Sequence, residues 1–482
     1  MSVYSRRRSP VDLRAFRGTA GERATWWMLL ALLGLCLLGG GSNRPDVLSL
    51  LYLRPATVLL AAAMLVVAPR AAPGPFRWLV LLLMALAATM IVQLVPLPPP
   101  VWSALPGHRH LLDITAAAGL LAPWRPISLT PALTMNSLAA LMVPAAILIG
   151  VIRLRDDQRI ALVPVVIVMV LASAVLAVLQ LSGDPRGPLY TYRLTLNGTA
   201  VGFFANRNHQ ALVLAMALPM MRVWAELPAP AESLMVRRGL AAAIAVFIAV
   251  LVVVTGSRAG ALLALIGLVA AYGIAPVGDL LPRASKRMNR AVKIGVPLLV
   301  VVGVALAAVL AGRAVVYQRL VAGDPAADMR VTFLPRMIDI LKTYAPFGSG
   351  YGSFDATFRM AELDAMLRPN YFNHAHDDFL ELLMTGGVAG VLVLAVFLVW
   401  LARQAIAAFA RSPAGPIKRL GIVMLVMIGI GSTVDYPLRV PLMMAIATIA
   451  CCWAAMPVEA GAQRAHRRGG RGSGVASWGA SS

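Results

Sequence analysis

About twelve long apolar runs are the feature that most limits how this chain can fold. The hydrocarbon core of a bilayer is about 30 Å thick, and a helix needs roughly 20 apolar residues to cross it. Hydrophobic residues make up 59% of the 482-residue chain and charged residues only 13%. A backbone in lipid must satisfy its own hydrogen bonds, so we expect these runs to be helices. The predicted spans are 25–41, 55–69, 78–95, 133–152, 160–181, 208–225, 239–254, 259–276, 294–312, 379–402, 420–434 and 440–456.

The predicted fold is therefore an all-α polytopic membrane protein with about 12 transmembrane helices. We expect a basic cytoplasmic tail at 1–24, a membrane domain at 25–456 and a disordered cytoplasmic tail at 457–482, which is rich in Gly, Arg and Ser. A large external loop is predicted at 313–378, between helices 9 and 10. The first apolar run follows basic residues but lacks a small-residue cleavage site, which indicates a retained helix.

The formal net charge of +22 is divided unevenly between the two sides of the predicted bundle. If the N-terminus is inside and the spans alternate, most of the excess Lys and Arg falls on the inner side. This bias is the one that sets membrane orientation, so the basic tails need no nucleic acid to explain them. We expect membrane lipids as partners and no nucleic acid. The three cysteines fall in apolar spans and are interpreted as small buried hydrophobes.

Three polar clusters are predicted to share the outer face. GFFANRNHQ at 202–210 precedes the sixth span, and TGSRAG at 255–260 joins the seventh to the eighth. The long outer loop carries RVTFLPR at 330–336, PFGSGYGSF at 346–354 and NYFNHAHDDFLELLMTGGVAG at 370–390. The glycines at 348, 350 and 352 form a flexible turn whose backbone amides could approach an anion, although they match no phosphate loop. Chemistry on a membrane-embedded substrate would need polar groups placed in this way.

Two arginines are predicted to open helices on this face. With Ser257 as N-cap, Arg258 lies in a first turn, where the helix dipole opposes a cation by about 0.3–1 kcal/mol. An anion bound at that helix end would offset the cost, and a guanidinium adds bidentate contacts to phosphate. Arg207 lies similarly, with Asn206 or Asn208 as the cap. The alternative for both arginines is an interfacial anchor that reaches lipid phosphates.

Two histidines and several acids open the last motif of the outer loop. His374 and His376 cannot share one helical face, and neither a third histidine nor HExxH spacing accompanies them, so we expect no metal ion and no other cofactor. Asp377, Asp378 and Glu381 have an ordinary interpretation as acids stabilised by a helix N-terminus. For His376 we favour a general base, because a histidine at a wet interface can accept a hydroxyl proton near neutral pH.

The ordered set of motifs resembles the O-antigen ligase/polymerase family. The matching elements are GFFANRNH, then TGSRAG, then a long outer loop with an arginine, PFGSGYGSF and HxHDDFLELL followed by spaced glycines, over roughly 201–400. The resemblance implies a polytopic glycosyltransferase of the bacterial inner membrane. Its donor would be an undecaprenyl-diphosphate-linked glycan, and its acceptor a glycan or lipid A–core on the periplasmic face.

The resemblance also implies roles for individual residues. It makes His376, Arg258 and Arg330 the catalytic residues. The substrate-binding candidates are Arg207, Asn206, Asn208, His374, Asp377 and Arg336. The family usually has Asn after the second histidine, where this chain has Asp377, so whether Asp377 orients His376 or raises its basicity stays open.

The main alternative is a transporter or flippase of lipid-linked glycan or polymer. Twelve-helix transporters usually consist of two six-helix halves with a midplane site on broken helices. Here the longest loop falls between helices 9 and 10, and few ionisable residues lie at mid-depth. The main candidate is Arg54, which is near enough to a helix end to reach the interface. We therefore expect an enzyme, with ligase and polymerase activity both open. A structural or regulatory membrane component is a third hypothesis.

Overall fold

In the described part of the chain, all regular secondary-structure elements are helices. The computed structural model describes residues 19–68, 71, 73–121, 123–227, 231–274, 325–364, 372–409 and 415–457. Within these ranges the β-structure is limited to one isolated bridge between Leu97 and Arg125. The all-α class predicted from the apolar runs is confirmed.

Each predicted span that falls in the described ranges corresponds to a helix. The helices, in chain order, are α1 (Ala20–Gly39), α2 (Leu50–Val67), α3 (Arg77–Leu94), α4 (Pro99–Ser103), α5 (Arg109–Ala117), α6 (Pro131–Ala140), α7 (Met142–Arg153), α8 (Asp156–Ser182), α9 (Arg207–Glu226), α10 (Ala231–Val254), α11 (Arg258–Ile274), α12 (Pro325–Tyr344), α13 (Phe354–Ala361), α14 (Asp378–Phe409), α15 (Pro416–Ser432) and α16 (Pro441–Ala455). Short 3₁₀ turns at Gly74–Phe76 and Pro437–Arg439 precede α3 and α16.

Seven helical stretches in the described ranges are long and apolar enough to cross a membrane: Ala20–Gly39, Leu50–Val67, Gly74–Leu94, Pro131–Arg153, Asp156–Ser182, Val236–Val254 and Asp378–Phe409. The helices α11 and α16 are apolar but shorter. The total of twelve spans, the location of the termini and the sidedness of the loops stay predictions. The ninth predicted span, 294–312, lies outside the described residues, and so do residues 313–324 and 365–371 of the loop predicted at 313–378.

Helix α9 forms the centre of the bundle. Every residue from His209 to Met221 is buried, and α8, α10, α11 and α15 pack around it. Helix α11 comes especially close because of its glycines. A Cβ atom on Gly260 would lie 2.4 Å from the Cβ of Ala211, so a side chain at that position would collide with α9. Small residues at a helix contact allow this approach in lipid, and here they bring the first turns of α9 and α11 together.

Helix α14 is broken at Gly387, which has φ 59° and ψ −159°. The glycine-rich turn at 346–350 fills the break. The backbone amide of Val388 donates to the carbonyl of Pro346, and the amides of Ser349 and Gly350 donate to two carbonyl groups of α14. An insertion of this kind into a helical hydrogen-bond ladder produces a kink. The turn and the first part of α14 therefore form one unit, distinct from the long apolar part that follows.

These hydrogen bonds correct one expectation from the sequence. The amides of Gly348 and Gly350 donate to the carbonyls of Tyr344 and Thr385 and are thus used within the protein. The prediction that these glycine amides approach an anion was wrong for both positions. Their glycine character has a packing cause, since a Cβ on Gly348 would lie 2.5 Å from the carbonyl oxygen of Thr385.

Candidate active site

Segments that are far apart in the chain meet at one end of the bundle, which we call the polar end. Asn43 follows α1, Asn206 precedes α9, Ser257 precedes α11, His374 precedes α14, and Asp435 lies between α15 and α16. Side-chain contacts link the segments of Asn43, Asn206, His374 and Asp435, and the start of α11 shares a small cavity with Asp435, as described below. The polar end thus contains residues from three of the predicted polar motifs, at 202–210, 255–260 and the start of 370–390.

Asp435 is the carboxylate around which the polar end is built. Its side-chain oxygen Oδ2 accepts hydrogen bonds from the amide groups of Asn206 (3.0 Å) and Asn208 (2.8 Å). Its Oδ1 accepts one from the backbone amide of Tyr436 (2.9 Å). The residue is only 3% exposed. A buried carboxylate with three donors is held in one orientation.

Two histidines approach the same oxygen of Asp435. The Nδ1 atom of His376 lies 3.6 Å from Oδ1, and the Nε2 atom of His209 lies 3.8 Å from it. Both distances exceed a hydrogen bond but place the two rings directly beside the carboxylate. Burial alone raises the pKa of Asp435, yet the two histidines outweigh it and hold that pKa well below its usual value of 3.8. Asp435 is therefore an anion facing both imidazoles.

The backbone and ring of His376 are both constrained. Its φ of 53° lies in the left-handed region, which costs a non-glycine residue on the order of 1–3 kcal/mol. The ring packs against Phe372 and Tyr436 at centroid distances of 5.4 and 4.9 Å. The Nδ1 atom is buried, whereas the side chain as a whole stays 16% exposed. One edge of the imidazole thus faces Asp435, while part of the ring remains exposed.

His374 is bound through both ring nitrogens. Its Nδ1 lies 3.0 and 3.2 Å from the two carboxylate oxygens of Glu381, and its Nε2 lies 2.5 Å from the side-chain amide of Asn43. The ring also packs on Tyr436, at a centroid distance of 4.4 Å. The structure therefore uses this predicted substrate-binding residue to join the segment after α1 to α14.

Behind the histidines lies a buried ion-pair network centred on Arg439. Its Nε donates to Oδ1 of Asp378 (3.1 Å), and its Nη1 lies 3.2 Å from Oε1 of Glu381. Ser432 donates to the other oxygen of Asp378 at 3.1 Å. Burial opposes the charge of Arg439, but the two carboxylates outweigh it and raise its pKa. Asp378 and Glu381 do lie in the first turn of α14, as their ordinary interpretation requires, but both are also buried against this arginine.

Asp377 caps α14. Its Oδ1 accepts hydrogen bonds from the backbone amides of Phe379 (2.9 Å) and Leu380 (3.0 Å). The carboxylate that lies within 4 Å of His376 belongs to Asp435. The question that the sequence left open thus has a structural answer: the group placed to orient His376 is Asp435, and Asp377 fixes the start of the helix.

Arg258 and Arg207 occupy the positions that the sequence predicted. Arg258 is exposed and begins α11, and Oγ of Ser257 accepts a hydrogen bond from the Gly260 amide at 3.0 Å, which confirms the cap. Arg207 begins α9, and the cap there is Asn206, whose Oδ1 accepts from the Asn208 amide at 2.9 Å. The two helix ends share a small cavity with the carboxylate, lined by Asn208, His209, Ala259, Gly260 and Asp435 among others.

The two arginines predicted from the outer loop lie in α12. The side chain of Arg330 is outside the described part of the structure. Arg336 donates from Nε to the carbonyl of Ala361, and its Nη1 lies 3.7 Å from Oδ2 of Asp339. These contacts tie α12 to α13. The structure therefore does not bring Arg336 into contact with the histidines.

Comparison with known families identifies the central segment. Residues 243–395 match the sequence model of a family described as O-Antigen ligase. This part of the chain is similar to the O-antigen ligase family. The resemblance seen in the motifs is confirmed, over a shorter stretch than 201–400. No curated protein matches the chain.

The O-antigen ligase domain contains Arg258, His374 and His376, but it ends before Asp435. Together with the membrane-type helices, the match indicates a bacterial membrane protein. Sequence reasoning missed the groups that complete the site, namely Asn43, Asp435, Tyr436 and Arg439. The available signal was the polar stretch DYPLR at 435–439 between the last two apolar runs.

Proposed function

We propose that this protein is a membrane glycosyltransferase that transfers or polymerises glycan from an undecaprenyl-diphosphate-linked donor. The acceptor is a hydroxyl group of a glycan or of lipid A–core, on the periplasmic face of the inner membrane. The O-antigen ligase domain and the membrane-type helices support this assignment. The observation that carries it is the approach of His376 to the buried, ionised Asp435 (3.6 Å) at the polar end.

In this proposal His376 is the general base. A proton on Nδ1 is directed at Asp435, which leaves the lone pair of Nε2 for the acceptor hydroxyl. As the hydroxyl oxygen attacks, its proton moves to Nε2. The imidazolium that forms is stabilised by the carboxylate already aimed at it. General-base catalysis of this type contributes about 10²- to 10⁴-fold in rate.

The leaving group is the polyprenyl diphosphate. The bond between the anomeric carbon and the phosphate oxygen breaks while the bond to the acceptor oxygen forms, which inverts the anomeric centre. The departing diphosphate takes up the electron pair and gains charge. Arg258 at the exposed start of α11, with Arg207 and Arg330 as further candidates, stabilises that charge. The amides at the helix N-termini add to the same field, and the scheme uses neither a metal ion nor a nucleotide.

A joining assay in proteoliposomes tests the proposal. The assay supplies lipid-linked glycan and an acceptor, and the measured product is the covalently joined glycan. His376→Asn removes the base while keeping a residue that tolerates a left-handed backbone, so we expect a loss of about 10²-fold or more. Arg258→Gln is expected to lose activity as well, whereas Arg186→Gln, in an exposed loop, serves as the matched control.

Two outcomes contradict the proposal. Normal joining by both His376→Asn and Arg258→Gln removes the catalytic assignment. Movement of the lipid-linked glycan across the vesicle membrane without any bond change indicates a transporter instead. For a confirmed enzyme, a deletion strain separates the two activities. Single units still attached, without long chains, indicate a polymerase, while free lipid-linked chains beside bare acceptor indicate a ligase.

A further inference from the structure

A second pocket lies beside the first turns of α2. Its volume is about 400 Å³, and the segment that follows Asn43 forms one of its walls. The lining residues are Pro45, Asp46, Val47, Leu48, Leu50, Leu51, Arg54 and Pro55. None of them belongs to the site proposed for glycan transfer.

Arg54 gives this pocket a positive charge that no carboxylate neutralises in the described structure. Its Nη2 donates to the backbone carbonyl of Asn136 (3.3 Å) and to the side-chain oxygen of the same residue (2.5 Å), and both acceptors are neutral. Asp46 lines the same pocket, but its two oxygens accept hydrogen bonds from Arg44 at 2.9 and 2.8 Å. The pocket therefore keeps one excess cation, which an anion can pair with.

The rim of the pocket carries exposed apolar side chains. Leu48 is 79% exposed and Leu51 is 75% exposed. Arg54 lies four residues beyond the start of α2, or about 6 Å along the helix axis. In a membrane helix, that depth from the end corresponds to the region where lipid headgroups meet their hydrocarbon chains. A cation at this depth can pair with a phosphate group, and the exposed leucines beside it can contact hydrocarbon. A lipid with a phosphate headgroup provides both.

We propose that this pocket binds an anionic phospholipid of the membrane. The guanidinium of Arg54, held by Asn136, contacts the lipid phosphate, and the acyl chains lie along Leu48 and Leu51. The site is separate from the Arg258 region and does not depend on glycan transfer. Since the pocket wall continues into Asn43, which contacts His374, the bound lipid also supports the segment that enters the polar end.

Native mass spectrometry of the detergent-purified protein tests this site. The probe is a short-chain phosphatidylglycerol, and the measured quantity is the apparent dissociation constant of the tightest bound copy. Loss of a charge-assisted contact in Arg54→Gln is expected to weaken binding at least about tenfold. Arg186→Gln removes the same charge from an exposed loop and is expected to leave binding unchanged. Equal weakening by both variants overturns the proposal, because it indicates a diffuse charge effect.

A second variant separates a lipid from a free anion and does not depend on the folding of Arg54→Gln. Leu51→Gln alters an exposed side chain and is expected to weaken phosphatidylglycerol binding severalfold. Inorganic phosphate at the same concentration is expected not to displace the lipid. Full displacement by inorganic phosphate, or unchanged lipid binding in Leu51→Gln, contradicts a lipid site.

Discussion

The Nδ1 atom of His376 lies 3.6 Å from Oδ1 of Asp435, although the two residues belong to segments that flank different helices. The same oxygen lies 3.8 Å from His209 on α9. One carboxylate is thus shared by imidazoles from two other parts of the chain. A change at Asp435 is therefore expected to affect both the activity that depends on His376 and the stability of the polar end. The first effect is measured as kcat and the second as Tm.

Asp435→Asn is expected to lower kcat for glycan joining by roughly 10²- to 10⁴-fold while KM changes little. The substitution keeps the shape of the side chain but removes the charge that orients and stabilises His376. Steady-state kinetics in proteoliposomes measure the two parameters.

Asp377→Asn is the comparison variant for this prediction. An asparagine still caps α14 through its side-chain oxygen, so its activity is expected to stay close to that of the parent protein. If Asp377→Asn lost as much kcat as Asp435→Asn, the orienting role would belong to Asp377.

The depressed pKa of Asp435 predicts a stability difference that depends on pH. A carboxyl group whose pKa is lower in the folded than in the unfolded protein stabilises the fold above the unfolded pKa, near 3.8. That contribution is lost as the pH falls through the lower, folded value. The parent protein is therefore expected to exceed Asp435→Asn in Tm by the largest amount at about pH 6–7. This difference is expected to shrink below about pH 4. A difference that grows on acidification would contradict the assignment of Asp435 as a stabilised anion.

Arg439→Met is expected to destabilise the fold strongly. The substitution leaves Asp378 and Glu381 buried without their cation, a change that typically costs about 3–5 kcal/mol. Arg359→Met is the matched control, since Arg359 pairs with Asp355 at an exposed position, where ion pairs contribute about 0–1 kcal/mol. Thermal unfolding in detergent compares the two variants. A similar decrease in Tm for both would show that the buried ion pairs stabilise the fold no more than the exposed pair does.

Gly387→Ala is expected to lower the free energy of unfolding by about 1–3 kcal/mol. The backbone at this position is largely restricted to glycine, and the new Cβ would lie 2.4 Å from the carbonyl oxygen of Pro346. Gly429→Ala, inside α15 with open space around it, is expected to stabilise by about 0.5–1 kcal/mol. Tm measurements compare the two variants. An unchanged Tm in Gly387→Ala would contradict the requirement for glycine at the break in α14.

Local features of the fold were predictable from the sequence. Apolar runs located the helices because crossing lipid requires length and hydrophobicity, both of which are visible in one dimension. Helix caps were predictable for the same reason. Ser257 and Asn206 act on amides two or three residues ahead, so their pattern lies within a short window.

The partners of the site residues were not predictable in this way. Asp435 meets His376 only because α15 returns the chain to the polar end, and no local pattern records that meeting. Glu381 shows the same limitation. Its position in a first turn indicated an acid stabilised by the helix N-terminus, whereas its burial against Arg439 depends on a turn that follows a different helix. The glycines at 348, 350 and 352 were likewise considered able to approach an anion with their amides. The α14 carbonyls that accept from this turn come from a later segment, so the local pattern does not reveal them.

The break at Gly387 separates two mechanical tasks within one helix. The residues before it are held by Arg439 and by the turn at 346–350, while many apolar side chains after it are exposed on the surface of the bundle. A membrane helix adapts to changes in bilayer thickness by tilting. We expect the break at Gly387 to let the apolar part of α14 tilt while Asp378 and Glu381 keep their positions. Under this hypothesis the spacing of the reactive groups does not change with the thickness of the surrounding membrane.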